Sequence, residues 1–161
     1  MQIISIINQK GGVGKTTTVI NLAAGLSQQA KKILVIDLDP QGNATTGLGL
    51  SNMESSSETI YGVLNGTKSI NDVIKKTDFK NLDIITSNVD LSGLEVETAG
   101  DSKRAFILKD QLTSYLNDSR ALYDYILIDC PPSLSLLTVM ALVSSDSLVV
   151  PLQTEFFALE G

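Results

Sequence analysis

A glycine-rich loop between an apolar run and an amphipathic segment constrains this chain more than any other feature. The apolar run from Gln2 to Asn8 leads into KGGVGKTT, residues 10–17, and a helical pattern of apolar residues begins at Val19. Glycines allow backbone N–H groups to converge on an anion, and the first turn of the following helix adds the positive end of its dipole. The spacing therefore predicts a phosphate-binding loop in a strand-loop-helix unit, and with it a nucleotide site.

The loop departs from the common pattern G-x-x-x-x-G-K-[ST] at its start, where Gln9 stands in place of the first glycine and Lys10 follows it. Lys15 is expected on the β- and γ-phosphates, and the Thr16 hydroxyl on Mg²⁺. Lys10 is a second cation that the common pattern does not require. The predicted nucleotide contacts are Lys10, Gly11, Gly12, Val13, Gly14, Lys15, Thr16 and Thr17.

An acidic pair follows the second apolar run, in VIDLDPQGN, residues 35–43. Asp37 and Asp39 alternate with Ile36 and Leu38, so both carboxylates are expected on the same face of the strand end. At the carboxyl edge of a parallel sheet, that face points into the ligand crevice. One carboxylate can hold Mg²⁺ through water and the other can orient an attacking water, although a solvated pair that opens a turn has the same pattern.

A further acid ends the apolar run in YDYILIDCPPS, residues 123–133. A strand that ends in a single acid is the Walker B arrangement, which predicts that Asp129 accepts hydrogen bonds from a metal-bound water and from the Thr16 hydroxyl. Pro131 and Pro132 are expected to end the strand and redirect the chain over the site. This pattern is weak alone and gains its force from the glycine-rich loop.

Apolar runs bounded by turn residues alternate with helical patterns along the chain, which indicates βα units around a parallel sheet. Several runs are apolar almost throughout, as expected of strands that are covered on both faces. We predict an α/β P-loop fold, with a mostly parallel twisted sheet and helices on both faces, as a single domain over residues 1–161. The predicted strands are Gln2 to Asn8, Ile33 to Leu38, Leu82 to Thr86, Tyr125 to Asp129 and Ser147 to Leu152.

The helical segments are predicted from apolar residues at i, i+3 and i+4 spacing. One amphipathic helix is predicted on the spacing of Val19, Leu22, Ala23, Leu26 and Ala30, and another on the spacing of Ala105, Leu108, Leu112 and Tyr115. A short helix near Tyr61 to Leu64 follows the serine-rich stretch from Gly49 to Thr59, which is expected to be an exposed loop.

The composition removes several classes of site. The chain has no histidine and one cysteine, so the usual zinc sites, His-based catalytic sites and an internal disulfide are excluded, and Cys130 is expected to be a small buried side chain. A net charge of −6 does not favour nucleic-acid binding over the whole surface, and the pairs at 31–32 and 75–76 are expected to be solvated lysines. No apolar run approaches the ~20 residues of a membrane span, so a cytosolic setting is expected.

These motifs together resemble one family of ATPases. KGGVGKTT is similar to the deviant Walker A motif of the ParA, MinD and nitrogenase iron-protein ATPases, and DLDPQGNATTGLG, residues 37–49, resembles the ParA/Soj chromosome- and plasmid-partitioning proteins in particular. The similarity continues through ILIDCPPSLSLLTVMAL, residues 126–142, and VVPLQTEFFALEG, residues 149–161. It therefore covers nearly the whole chain.

The resemblance implies ATP and Mg²⁺ as ligands and assigns roles to the candidate residues. Lys10 would cross a nucleotide-sandwich homodimer to the phosphates held by the other subunit, as an arginine finger does, so that the implied catalytic residues are Lys10, Lys15 and Asp39. Asp39 would orient the attacking water. The implied metal ligands are Thr16, Asp37 and Asp129.

The resemblance also implies a cellular role. MgATP binding would form a dimer that sits on DNA, and hydrolysis stimulated by a ParB-type centromere-binding partner would release it, in the cytoplasm at the nucleoid and with no membrane partner. Proteins of this family run well past Gly161, so the chain is expected to be incomplete at its carboxyl end, a naturally short protein being the alternative. Nonspecific DNA binding is then implied for the full-length protein and not by these residues.

Two other functions stay open at this point. One is a MinD-like membrane-associated ATPase of the cell-division site, although MinD-type proteins do not usually carry the Pro-Gln-Gly-Asn run at residues 40–43. The other is a nucleotide-binding switch whose turnover is incidental. Lys10 as an ordinary surface lysine is also compatible with the sequence.

Overall fold

The computed structural model describes residues 1–51, 53, 55–118 and 122–154, and in these residues the chain forms one six-stranded sheet. The strands are β1 (Gln2–Ile6), β2 (Ile33–Asp37), β3 (Ile74–Lys76), β4 (Leu82–Ile85), β5 (Tyr125–Asp129) and β6 (Ser147–Val149). Their order across the sheet is β3-β4-β2-β5-β1-β6. All neighbours are parallel except β3 and β4, which are antiparallel, so the mostly parallel sheet that the sequence predicts is confirmed.

The register of the central strands brings the candidate motifs to one edge. Ile6, the last residue of β1, is level with Asp129 at the end of β5, and Asp129 is level with Asp37 at the end of β2. Carboxyl ends of parallel strands meet at the same edge of a sheet, where ligands of such folds bind. The glycine-rich loop and the two strand-terminal acids therefore start from adjacent positions.

Helices cover both faces of the sheet, as predicted. They are α1 (Lys15–Gln28), α2 (Asn43–Gly47), α3 (Ile60–Leu64), α4 (Ile70–Val73), α5 (Leu94–Glu97), α6 (Ile107–Leu116) and α7 (Leu136–Ser144). Short 3-10 turns occupy Ser56–Glu58, Val89–Gly93 and Arg104–Phe106. None of the helices in the described part of the chain is long and apolar enough to cross a membrane.

The core is divided into two layers by the sheet. On one face, α1 and α2 bury Val19 and Ala44 against strand residues such as Val35. On the other face, α6 and α7 bury Leu112 and Met140 together with Ile36 and its neighbours. All five residues of β2 are buried, which explains why this strand is apolar up to its terminal acid. Each fully buried Leu or Ile contributes about 1.5–3 kcal/mol to stability.

Some predicted boundaries are wrong by one to three residues. β1 ends at Ile6 rather than at Asn8, because the chain leaves the sheet to enter the glycine-rich loop. Ala105 lies in a 3-10 turn, and the helix proper begins at Ile107. β6 ends at Val149 rather than at Leu152, and Pro151, which has no backbone N–H to donate, lies outside it. The short helix after the serine-rich stretch is confirmed as α3, although residues 52 and 54 of that stretch lie outside the described residues.

The short elements β3, α2, α4 and α5 were not predicted from the sequence, and β3 and α4 show why. β3 is an edge strand of three residues that includes Lys75 and Lys76, so it has no apolar alternation to identify it. α4 has a capping box in which Ser69 and Asp72 satisfy each other's backbone N–H groups. That Ser-x-x-Asp spacing is a local signal that could have found the start of α4.

Candidate nucleotide site

The glycine-rich loop borders an open cavity at the carboxyl edge of the sheet. The cavity measures about 290 Å³. Gly12 and Gly14 have φ of 75° and 87°, a left-handed backbone that only glycine adopts readily, and Gly14 is the residue immediately before α1. The lining residues are Gly11, Gly12, Gly14, Lys15, Thr16, Thr17, Asp39, Asn43 and Pro132. Six of the eight predicted nucleotide contacts therefore line one cavity at the N-terminus of a 14-residue helix.

Lys15 is held inside the loop. Lys15 is only 7% exposed, and its Nζ donates to the carbonyl oxygen of Lys10 at 3.1 Å. The backbone N–H of Lys10 donates in turn to Asn8 Oδ1 at 2.9 Å. Lys15 lines the same cavity as the loop glycines, so its ammonium adds positive potential there for an anion.

The hydrogen bond that the sequence predicts between Thr16 and Asp129 is confirmed. Thr16 Oγ1 donates to Asp129 Oδ2 at 2.7 Å, and Asp129 is completely buried. Its other oxygen, Oδ1, is buried with no hydrogen-bond donor among the described residues. Burial raises the pKa of Asp129 to about 7, against the opposing effect of the Thr16 hydrogen bond. A buried carboxylate oxygen without a donor can accept a hydrogen bond from a water molecule or bind a cation.

The two acids of the second motif have different surroundings. Asp39 lines the cavity and its Oδ1 accepts from the backbone N–H of Gln41 at 2.9 Å. Asp37 is completely buried, and its Oδ2 accepts from the backbone N–H and the hydroxyl of Thr45 at 2.8 and 2.7 Å. Burial raises the pKa of Asp37 to about 6, although the hydrogen bonds from Thr45 lower it.

The expectation that both carboxylates point into the crevice is therefore wrong for Asp37. The reason is the turn after β2, where Gly42 adopts φ 64° and α2 begins at once, so that Thr45 reaches back to the strand end. The backbone N–H of Asp39 also donates to Asp37 Oδ1, at 3.2 Å, so the Asp37 carboxylate accepts from three donors in all. Because these donors surround it and it is completely buried, the carboxylate is directed toward the protein interior. The role of Asp37 as a metal ligand stays a prediction.

Three residues of this region were missed at the level of sequence. Asn43, the first residue of α2, lines the cavity. Asn8 Nδ2 donates to the carbonyl oxygen of Pro151 at 2.9 Å, and Gln153 Nε2 donates to the carbonyl oxygen of Gly12 at 3.1 Å. The segment after β6 thus braces the glycine-rich loop. These contacts join residues about 140 positions apart, and no local pattern signals them.

A larger open cavity of about 420 Å³ lies at the opposite edge of the sheet. Lys32, Lys76 and Lys80 line it, so one lysine from each of the two pairs noted in the sequence lies there. Lys76 Nζ pairs with Asp83 Oδ2 at 2.6 Å, and the Lys76 side chain is 85% exposed. Among the described residues that line this cavity there is no glycine-rich loop and no helix N-terminus, so the smaller cavity is the candidate site.

The chain is similar to known proteins over its whole length. The whole chain, residues 1–161, matches the AAA domain family. It is 47% identical over 161 residues to the chromosome partitioning protein ParA of Caulobacter vibrioides, covering 100% of this chain and 59% of that protein. It is 48% identical over 160 residues to the sporulation initiation inhibitor protein Soj of Bacillus subtilis, covering 99% of this chain and 61% of that protein.

A solved structure agrees with the fold. Cobyrinic acid a,c-diamide synthase from Mycobacterium smegmatis, crystallised with a bound ATP analog and magnesium, superposes with a TM-score of 0.91 at 35% identity, over 100% of this chain and 64% of that one. The chain spans 59% to 61% of the length of the two relatives. From the match over its whole length, the chain belongs to the AAA domain family, and its sequence similarity places it with the ParA/Soj type.

Proposed function

We propose that the protein is an Mg²⁺-dependent ATPase of the partitioning type, which hydrolyses ATP to ADP and phosphate beside the glycine-rich loop. The observation that carries this proposal is that Lys15, Thr16 and Asp39 line one cavity, with Asp129 hydrogen-bonded directly behind Thr16. The ATP analog and magnesium bound by the mycobacterial structure support the choice of ligands.

The residues present fit Mg²⁺. Mg²⁺ keeps several waters and is usually bound through one or two carboxylates together with substrate phosphates, rather than by a cage of protein ligands. Accordingly, the described residues contain no group of three or more His, Cys, Asp or Glu that could hold a metal alone. Asp129 Oδ1 has no donor there and is suited to accept from a metal-bound water, while Thr16 Oγ1 supplies the neighbouring oxygen. Bound Mg²⁺ would neutralise charge on the β- and γ-phosphates.

The loop binds the phosphates in this proposal. Backbone N–H groups between Gly11 and Thr17 donate to phosphate oxygens, and the N-terminal end of α1 adds its dipole. Lys15 Nζ leaves the carbonyl oxygen of Lys10, 3.1 Å away, and donates to the phosphates instead. Because that ammonium is already buried in the loop, little rearrangement is needed for it to meet the charge of the ligand.

Asp39 orients the attacking water in this proposal. A water molecule attacks the γ-phosphorus as the bond to the β–γ bridging oxygen breaks, and Asp39 accepts a hydrogen bond from that water. The Gln41 N–H holds Asp39 Oδ1, which fixes the direction of the carboxylate at the cavity wall. Asp37, turned inward to Thr45, supports this segment.

The cellular part of the proposal concerns the whole protein. Lys10 contributes its ammonium to the partner subunit of an ATP-dependent homodimer, which binds DNA nonspecifically at the nucleoid in the cytoplasm. A ParB-type partner stimulates hydrolysis and so dissolves the dimer. The support is the 47–48% identity to ParA and Soj proteins over the length of this chain.

Replacement of Asp39 tests the proposed chemistry. In Asp39→Ala, ATP binding should hold or tighten because one negative charge near the triphosphate is gone, and phosphate release should fall by about a hundredfold or more because the water loses its acceptor. Phosphate release and ATP affinity are measured on the same preparations, with Asp78→Ala, an exposed acid at the opposite edge, as the matched control. Near-parental turnover in Asp39→Ala would exclude Asp39 from the chemical step.

A further inference from the structure

Thr45 is a buried residue in α2 whose hydroxyl lies between Asp37 of the acidic segment and the segment after β4. Its relative exposure is 0%, the same as that of Asp37. Thr45 Oγ1 donates to Asp37 Oδ2 at 2.7 Å and accepts from the backbone N–H of Ser87 at 3.0 Å. The Ser87 N–H can only donate, so the hydroxyl proton is committed to Asp37.

The contacts continue from Asp37 to the cavity. Asp37 Oδ1 accepts from the backbone N–H of Asp39 at 3.2 Å. Asp39 accepts from Gln41 N–H through Oδ1 and from Gly42 N–H through its carbonyl oxygen, both at 2.9 Å. The segment that presents Asp39 to the cavity is therefore held by hydrogen bonds within itself and by two contacts with the interior. One is the contact with Asp37, and the other is the backbone N–H of Leu38, which donates to the carbonyl oxygen of Asp129 at 2.9 Å.

Packing alone does not call for a threonine at position 45. A valine has nearly the same size and would fill the space in α2, whereas a buried hydroxyl destabilises the fold unless its hydrogen bonds are satisfied. Here the hydroxyl uses both its donor and an acceptor position, and it joins α2 to the segment after β4. The Thr45 hydroxyl therefore orients the Asp37 carboxylate rather than only filling space in the core.

We propose that Thr45 is a positioning residue of the nucleotide site. Its hydroxyl fixes the Asp37 carboxylate against the segment after β4, and Asp37 in turn fixes the backbone that carries Asp39. The expected effect on ATP hydrolysis rests on the proposed function, in which Asp39 orients the attacking water. The conformational part concerns the protein without nucleotide and stands by itself.

Thr45→Val removes the hydroxyl and leaves the backbone N–H to Asp37 in place. In the whole protein, kcat for ATP hydrolysis should fall by about tenfold to a hundredfold, as is typical when a side chain that orients a ligating or reacting group is lost. KM for ATP should change by less than about threefold, since the phosphate contacts are untouched. Thr45→Ser keeps both hydrogen bonds and should restore kcat to within about threefold of the parental value.

Thr46→Val is the matched control. Thr46 is the next residue of α2, and its hydroxyl donates only to the carbonyl oxygens of Gly42 and Asn43, at 3.2 and 3.3 Å. It makes the same chemical change one position away without touching Asp37, so kcat and KM should stay parental. Should Thr45→Val not fold, as judged by thermal unfolding, Thr45→Ala makes the same deletion with less bulk.

Amide hydrogen exchange without nucleotide supplies a readout that does not depend on activity. The N–H groups of Asp39 and Gln41 should exchange about tenfold faster in Thr45→Val than in the parental protein, and remain unchanged in Thr45→Ser and Thr46→Val. Unchanged exchange in Thr45→Val, or parental kcat, would overturn the positioning role. If the parental protein itself showed no ATP turnover, the proposed function would fail while the exchange result still decided the conformational claim.

Discussion

The two edges of the sheet carry cavities of opposite construction. The amino edge has the larger cavity and three lysines, yet its buried acid, Asp83, is already paired with the exposed ammonium of Lys76 at 2.6 Å. The carboxyl edge has the smaller cavity, but glycines in the left-handed region line it. Its lining residue Thr16 is hydrogen-bonded to Asp129, a buried acid whose pKa burial raises. A larger volume and more cations therefore do not identify the site. The features that favour the carboxyl edge are a glycine-rich loop at a helix N-terminus and a buried carboxylate oxygen, Asp129 Oδ1, that has no donor among the described residues.

Neutralising the acid at each edge should have effects of opposite sign on stability. Asp129 has a raised pKa, about 7 against an ordinary 3.8, so the native state binds its proton more tightly than the unfolded state does. The contribution of Asp129 to the stability of the nucleotide-free protein is then fully present below about pH 4 and is lost as pH rises to about 7. Asp129→Asn removes that loss and should raise the free energy of unfolding at pH 8 by on the order of a few kcal/mol, and by less at pH 5.

Asp83→Asn is the comparison at the amino edge. It removes the ion pair with Lys76, whose side chain is 85% exposed, and keeps an amide oxygen that can accept from the Tyr123 hydroxyl as Asp83 Oδ2 does. We therefore expect a destabilisation of about 0.2–1 kcal/mol at pH 8. Urea unfolding at pH 5 and pH 8 measures both variants. If Asp129→Asn were less stable than the parental protein at pH 8, burial of the ionised Asp129 carboxylate would not destabilise the fold. The two edges would then not differ in the sign of the effect on stability.

A smaller effect is expected from the lysine that the common loop pattern does not require. Lys10→Ala should leave ATP affinity of the monomer nearly unchanged and weaken ATP-dependent dimerisation by at least about fivefold, or ~1 kcal/mol. Lys80→Ala, at the amino edge, should leave both quantities at the parental level. Light scattering of the whole protein with and without MgATP measures the dimer. Parental dimerisation of Lys10→Ala would assign Lys10 to the surface and not to the partner's phosphates.

The sequence predicts the carboxyl edge well because its information is local. The glycine-rich loop, the strand before it and the helix after it lie within about thirty consecutive residues, and the spacing of Gly14, Lys15 and Thr16 predicts their roles. The hydrogen bond between Thr16 and Asp129 joins distant residues, yet each belongs to a recognisable motif. The parallel sheet followed from the alternation of apolar runs and helical patterns.

What the sequence could not give is the direction of individual side chains. Strand alternation places Asp37 and Asp39 on one face, but the turn at Gly42 and the reach of Thr45 direct Asp37 inward. The brace from Gln153 to Gly12 depends on the order of β6 and β1 in the sheet, which no local pattern encodes. Tertiary contacts decided both outcomes.

The central claim is that the smaller cavity, and not the larger one, binds the nucleotide. Titration calorimetry with MgATP on Lys15→Ala and Lys32→Ala tests it most directly, because each variant removes one lysine from one of the two cavities. Lys15→Ala should lose at least tenfold in affinity, or about 1.4 kcal/mol, since the cation that opposes the phosphate charge is gone, while Lys32→Ala should bind as the parental protein does. Unchanged binding in Lys15→Ala together with weakened binding in Lys32→Ala would place the nucleotide at the amino edge and contradict the account.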